Sequence, residues 1–122
     1  MAEPRKLRLR ILFGPEVAIG PGKVALLRAI REAGSISAGA RAMNMSYRRA
    51  WLLVDTMNRC FREPVVAAAP GGKGGGGATV TPFGEDVLER YARMQRTAED
   101  SVRADIAEFT KLLATEPPDG GA

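Results

Sequence analysis

Ser46-Tyr47-Arg48-Arg49 places a hydroxyl, a phenol and two guanidinium groups in four consecutive positions. At the first turn of a helix these groups have a specific use. An arginine can grip guanine O6 and N7 in bidentate fashion. A helix-start serine and the free backbone N–H groups beside it can hold a phosphate. A second candidate is Lys73, inside Pro70-Gly71-Gly72-Lys73-Gly74-Gly75-Gly76-Gly77. A loop with so little side-chain bulk can lay its backbone against a sugar-phosphate rail, with one cation at its tip. Each feature also has a plainer reading. Arg48 and Arg49 also fit a solvated helix face, and the glycine run fits a linker.

Other chemistry is excluded by residue type. The chain has no histidine and one cysteine, Cys60. That removes Ser/His/Asp triads, Cys/His dyads, His-ligated metals, internal disulfides and Cys-based zinc sites. Gly72 to Gly77 fits G-x-G-x-x-G, but a run of glycines fits any glycine pattern. The nucleotide fingerprint also needs a helix directly after the loop, and Ala78-Thr79-Val80-Thr81 reads as strand. A Walker loop fails because Gly74 follows Lys73. With no paired acid and base and no activated nucleophile, the expectation is a protein that is not an enzyme and has no metal site.

Which elements would position the candidates? Leu7, Leu9, Ile11 and Phe13 alternate with Arg8 and Arg10, the pattern of a half-buried strand ended by Gly14-Pro15. Val24, Leu27 and Ile30 give residues 23–33 an apolar helical stripe, and Gly34 suits a C′ stop. Ser37 is the expected N-cap of a short helix at 38–43, whose Ala38, Gly39, Ala40 and Ala42 permit close helix approach. Ser46 is the expected N-cap of a longer helix from 47 to about 62. There Ala50, Trp51, Val54, Met57 and Phe61 form the predicted core stripe, with Cys60 beside it and inert. On that stripe Trp51 is core and not a base-stacking residue, while Tyr47 fits either DNA contact or packing. Residues 65–69 and 78–81 make a β-hairpin tipped by the glycine loop. From Thr81-Pro82 a long helix carries Val87, Tyr91, Met94, Ala98, Val102, Ile106 and Phe109 at helical spacing. So long an apolar stripe exceeds what this small core can cover, and a second copy is the simplest cover. These seven residues are the expected dimer interface.

The order strand, helix, short helix, turn, longer helix, glycine-tipped hairpin, helix is that of a winged helix-turn-helix. The fold class expected is mostly α with a small β-hairpin and a long C-terminal dimerisation helix. Its divisions are a DNA-binding domain at 1–82, the helix at 83–115 and a disordered tail at 116–122. In such folds the start of the second helix meets base edges in the major groove. Ser35, Ser37 and Arg41, on the first helix of the pair and its cap, are further candidate DNA contacts. Charge agrees with this. Residues 1–62 carry twelve Lys/Arg against four acids, and residues 63–122 carry six against ten. A basic front half suits a polyanionic partner. Composition is globular, 45% hydrophobic and 26% charged, which excludes wholesale disorder. Apolar stretches fall short of the roughly 20 residues of a membrane span, and no signal-peptide pattern opens the chain. The expected location is cytoplasmic.

The blocks Gly34-Ser35-Ile36-Ser37-Ala38-Gly39-Ala40, Met45-Ser46-Tyr47-Arg48-Arg49-Ala50-Trp51, Met57-Asn58, Gly71 to Ala78 and Thr81-Pro82-Phe83-Gly84 together resemble the N-terminal domain of ModE-type molybdate-responsive transcriptional regulators. That domain is similar to the N-terminal domain of LysR-type regulators. The resemblance covers about residues 7–115. It implies a homodimer on an inverted-repeat operator in molybdenum-related gene control. It also implies that Ser46, Tyr47, Arg48 and Arg49 form the recognition-helix start and that Gly72, Lys73 and Gly74 form the wing. The family often carries a small polar residue where this chain has Arg49. Full-length members continue into C-terminal oxyanion-sensing domains with no counterpart here, so molybdate is not inherited as a ligand and no cofactor is expected. Two alternatives stand beside this reading. One is an interaction module that heterodimerises with a sensor-bearing paralogue. The other is a stand-alone small oxyanion binder.

Overall fold

The helix punctuation in the sequence acts much as its chemistry requires. A computed structural model describes residues 7–70 and 76–118. Helix α1 (Pro21–Ala33) begins with Pro21 in its first turn and ends at Gly34, whose φ of 84° is left-handed and whose N–H donates to Ile30 O at 2.8 Å. Helix α2 (Ile36–Ala42) starts two residues earlier than predicted. Its cap is Ser35, not Ser37, because Ser35 Oγ accepts from Ala38 N at 3.0 Å. Ser37 instead accepts a bond from Arg41 Nη1 at 3.3 Å. Asn44, at φ 60°, turns the chain into helix α3 (Tyr47–Cys60), capped by Ser46 Oγ on Arg49 N at 3.1 Å.

The three helices pack about Leu26, Leu27, Ile30, Ala50, Val54 and Met57. Gly39 of α2 lies directly on Ile30, and a Cβ there would sit 2.8 Å from Ile30 Cγ1. The small-residue stretch therefore does permit the close helix approach that the sequence suggests.

Two antiparallel hairpins complete the fold where one was predicted. β1 (Ile11–Phe13) pairs with β2 (Glu16–Ile19) across a turn at Gly14, whose φ is 59°. β3 (Val66–Ala69) pairs with β4 (Gly77–Val80), Val66 facing Val80 and Ala69 facing Gly77. The predicted half-buried strand at 7–13 is corrected. Ile11, Leu12 and Phe13 are all exposed, because among the described residues β1 has a partner along one edge and nothing over its faces.

Helix α4 (Pro82–Ser101) opens on Thr81, whose Oγ1 accepts from Gly84 N at 2.9 Å and donates to Pro64 O at 2.7 Å. The continuous helix predicted over 83–115 is divided. Val102, at φ −115° and ψ 14°, leaves helical geometry and α5 (Arg103–Thr110) follows. The Ser101 hydroxyl donates back to Ala98 O at 3.0 Å, a local bond of the kind that competes with helix continuation. Residues 116–118 are exposed and form neither helix nor strand, and the rest of the predicted tail lies outside the described residues.

One side chain ties α3 to the second hairpin. Asn58 Oδ1 accepts from Val65 N at 2.8 Å and Val66 N at 3.2 Å, and its Nδ2 donates to Val66 O at 3.1 Å. Val65 is fully buried, so water cannot easily replace these bonds. Asn58→Ala is expected to cost about 2–3 kcal/mol, chiefly by leaving buried donors unpaired. A lowered urea midpoint at unchanged slope checks this.

Candidate nucleic-acid interface

At about 100° per residue, the buried Ala50, Val54 and Met57 define the inner side of α3. Opposite them lie Arg48, Leu52 and Arg59, all exposed. Tyr47 and Trp51 lean toward the β3–β4 hairpin, and Arg49 leans toward β2 and the start of α1. The capped first turn thus leaves all four predicted recognition residues exposed, in diverging directions. Ser46 spends its acceptor on the cap, which leaves its hydroxyl hydrogen for an external partner.

Trp51 is a correction to the sequence reading. It is 46% exposed, beside Tyr47 at 55% and Leu52 at 44%. The 3–4 spacing that marked Trp51 as core is shared by the residues flanking the buried stripe, and Trp51 falls on the flank. With Tyr47, Ile36 and Ser37 it lines a cleft of about 450 Å³ between α3 and the β3–β4 hairpin, closed on the far side by Ala68 and Gly77. Asp55 also lines this cleft, and Arg59 Nε meets its carboxylate at 3.1 Å. The i,i+4 pair offsets the acid on an otherwise cationic face.

A second groove, of about 510 Å³, opens on the other side of α3. Arg8, Arg10, Lys23 and Arg49 line it. Lys23 Nζ also donates to Val17 O. Sequence reading noted the cations singly, and nothing in their spacing revealed that they share a groove. Ser35, Ser37 and Arg41 sit at and within α2, the two serines holding the bonds given above. Gly72, Lys73 and Gly74 lie outside the described residues. Among the described residues no group of His, Cys, Asp and Glu is placed to hold a metal ion.

The seven residues expected at a dimer interface divide. Tyr91 is buried in its own protomer, its hydroxyl donating to Leu9 O at 2.7 Å. That burial pushes the phenol above its ordinary pKa, with the Arg8 and Arg28 charges opposing. Val87 packs on the same core. Met94 and Phe109 are exposed, and Ala98, Val102 and Ile106 are half-buried. Outside α3, the exposed large apolar side chains lie on Met94, Phe109, Leu112 and Leu113 and on β1.

The chain has relatives among known proteins. The chain is 46% identical over 99 residues to the molybdenum-pterin-binding protein MopB of Rhodobacter capsulatus, covering 81% of this chain and 35% of that protein. It is 41% identical to the transcriptional regulator ModE of Yersinia pestis, over 77% of this chain and 37% of the regulator. It is 39% identical to the DNA-binding transcriptional dual regulator ModE of Escherichia coli K12, with the same shares. The chain is a homologue of the ModE-type regulators. It spans little more than a third of the length of these curated relatives. No family model matches it. All three relatives are named for regulation or for molybdenum-pterin binding, and none for catalysis. Among the described residues no helix is long and apolar enough to cross a membrane.

Trp51 is the only tryptophan in the chain, so its emission reports on the α3–hairpin cleft alone. The free protein is expected to emit as a water-exposed indole and to be readily quenched by acrylamide. An already shielded, blue-shifted emission would contradict the exposed placement.

Proposed function

We propose that this ModE-type chain is a transcriptional regulator that binds duplex DNA as a homodimer, on an inverted-repeat operator in molybdenum-related gene control. The observation that carries the reading is the Ser46-capped start of α3, with Arg48 turned outward and Tyr47 facing the β3–β4 hairpin. Similarity to DNA-binding regulators over the greater part of the chain supports it.

In this reading the start of α3 enters the major groove. Arg48 reads a guanine edge and Tyr47 contacts the neighbouring base or backbone. Arg49 joins Arg8 and Arg10 in sequence-independent contacts to phosphate. Ser35, Ser37 and Arg41 of the first helix serve the backbone, and Ser46 adds a phosphate contact. The wing, Gly72, Lys73 and Gly74, keeps from the sequence its role on the sugar-phosphate rail. Two copies join through Met94, Ala98, Val102, Ile106 and Phe109, so half-sites fall one DNA turn or a multiple apart. Exposed Leu12 and Phe13 offer that interface further apolar surface. The site of action is the cytoplasm, where the DNA is.

A second reading, a small binder of molybdenum oxyanions, is favoured by the similarity to MopB. Calorimetry with molybdate and tungstate separates the two, and an absence of heat at millimolar ligand removes the second. Partnership with a sensor-bearing paralogue is the remaining alternative, and crosslinking that finds only the homodimer in cell extract counts against it.

Arg48→Ala is expected to weaken operator binding by about 1–3 kcal/mol and to relax base preference at one position. An unchanged footprint would remove the base-reading role. Lys73→Ala is expected to weaken operator and random duplex alike and to lower the salt slope by about 1. Titrations at several salt concentrations measure both effects.

A further inference from the structure

The outward side of α3 is unusual for a surface meant for a polyanion. Beside Arg48 and Arg59 it shows three large apolar or aromatic side chains, Tyr47, Trp51 and Leu52, that the fold leaves uncovered. Leu52 lies one turn beyond Arg48 on the outward row, and Trp51 lies one turn beyond Tyr47 on the row facing the cleft. These residues pack against nothing in the core.

The duplex major groove offers one apolar group, the 5-methyl of thymine, which apolar side chains contact. The flanking charge selects this occupant over an apolar protein surface. Arg48 and Arg59 border the patch, and the acid beside it, Asp55, is held by Arg59 at 3.1 Å. The outward apolar surface suited to a second protein copy lies elsewhere, on β1 and around α5.

We propose that Trp51 and Leu52 determine specificity by enclosing thymine methyl groups in the major groove, an inference that rests on the DNA-binding reading above. Four residues advance about 6 Å along a helix axis, and successive base pairs are about 3.4 Å apart. The thymine met by Leu52 and Trp51 therefore lies about two base pairs beyond the guanine met by Arg48. The aliphatic Leu52 covers the methyl from the outward row, and the Trp51 indole closes the side facing the cleft.

The test uses the full chain and an operator selected from random duplexes. Thymines in one half-site are replaced by deoxyuridine, which removes the methyl and keeps the base-pairing edge. Wild-type protein is expected to lose about fourfold in affinity for each contacted methyl removed. Leu52→Ala and Trp51→Ala, checked for folding by thermal unfolding, are expected to bind the thymine operator more weakly and to lose most of the distinction from uracil. Should Trp51→Ala not fold, the wild-type and Leu52→Ala titrations still decide the matter. Two results overturn the proposal: wild type that prefers its operator yet binds the uracil form equally well, or a uracil penalty undiminished in both variants. Methyl indifference together with Trp51 emission unmoved by saturating operator would also overturn it and assign the face to a protein partner. Lack of preference for any duplex removes the DNA-binding reading and this inference with it. Retained operator preference with methyl indifference removes this inference alone.

Discussion

The narrowness of the contact by which α3 joins the core governs the rest of the structure. Ala50, Val54 and Met57 alone are buried from this helix, and all three fall in one sector. The alanine lets the backbone approach its neighbours closely, so a short contact fixes the helix without consuming its flanks. That leaves Ser46, Tyr47, Arg48 and Arg49 outside. A broader apolar stripe that drew Trp51 inward would roll the helix and swing Arg48 away from the outward direction. The economy of the buried face is thus a condition for leaving the start of α3 exposed. The Asn58 bonds to Val65 and Val66 then set the second hairpin against the same helix. One amide thus holds α3 and the β3–β4 hairpin in register.

Local chemistry made much of this legible in sequence. Ser46, Thr81 and Gly34 mark helix ends because a side-chain oxygen or a left-handed glycine meets a specific backbone need, and each does so. Failures came where two local solutions compete or where tertiary context decides. Ser35 and Ser37 are both capable caps, and the neighbouring geometry selects the earlier one. Trp51 sits at the margin of a helical stripe, where periodicity cannot separate inside from outside. The alternation in residues 7–13 correctly signalled extended chain but could not show that β1 is uncovered among the described residues, since pairing with β2 satisfies an edge and not a face. The interruption at Val102 was invisible because the apolar spacing continues across it. The groove shared by Arg8, Arg10, Lys23 and Arg49 depends on contacts between distant segments, which spacing does not encode.

Helix α4 performs two tasks through different faces. Inward, Leu88 and Tyr91 complete the core. Along the same helix Tyr91 and Gln95 take over the work of a neighbouring strand. The Tyr91 hydroxyl and the Gln95 amide bond Leu9 O, Leu9 N and Leu7 O. The segment carrying Arg8 and Arg10 is therefore anchored by side chains and not by a sheet. On the proposed homodimeric reading this has a mechanical consequence. The element that sets the distance between copies also fixes the basic segment beside α3, so spacing of the two reading faces and placement of the phosphate-binding cations share one rigid support. The Arg31–Glu85 pair, 2.7 Å and half-exposed, reinforces the junction of α1 with α4 only modestly.

Arg48 and Arg49 are adjacent in sequence yet suited to different work, and the reason is angular. Consecutive helical residues diverge by about 100°, so the two guanidinium groups face different surroundings. Arg48 stands on the outward row with Leu52. Arg49 enters the cationic groove with Arg8 and Arg10. A bidentate grip on a base edge needs an arginine free to approach squarely, a condition that the outward position meets and the crowded groove does not. Clustered cations instead favour the delocalised negative charge of a phosphate strand, where no single geometry is demanded. On the proposed DNA-binding reading, arginine in place of the small polar residue frequent in the resembled family adds charge beside the row that would read bases and leaves that row as it was. On the same reading, discrimination depends on a few outward side chains, while overall affinity draws on a broader and more replaceable set of cations.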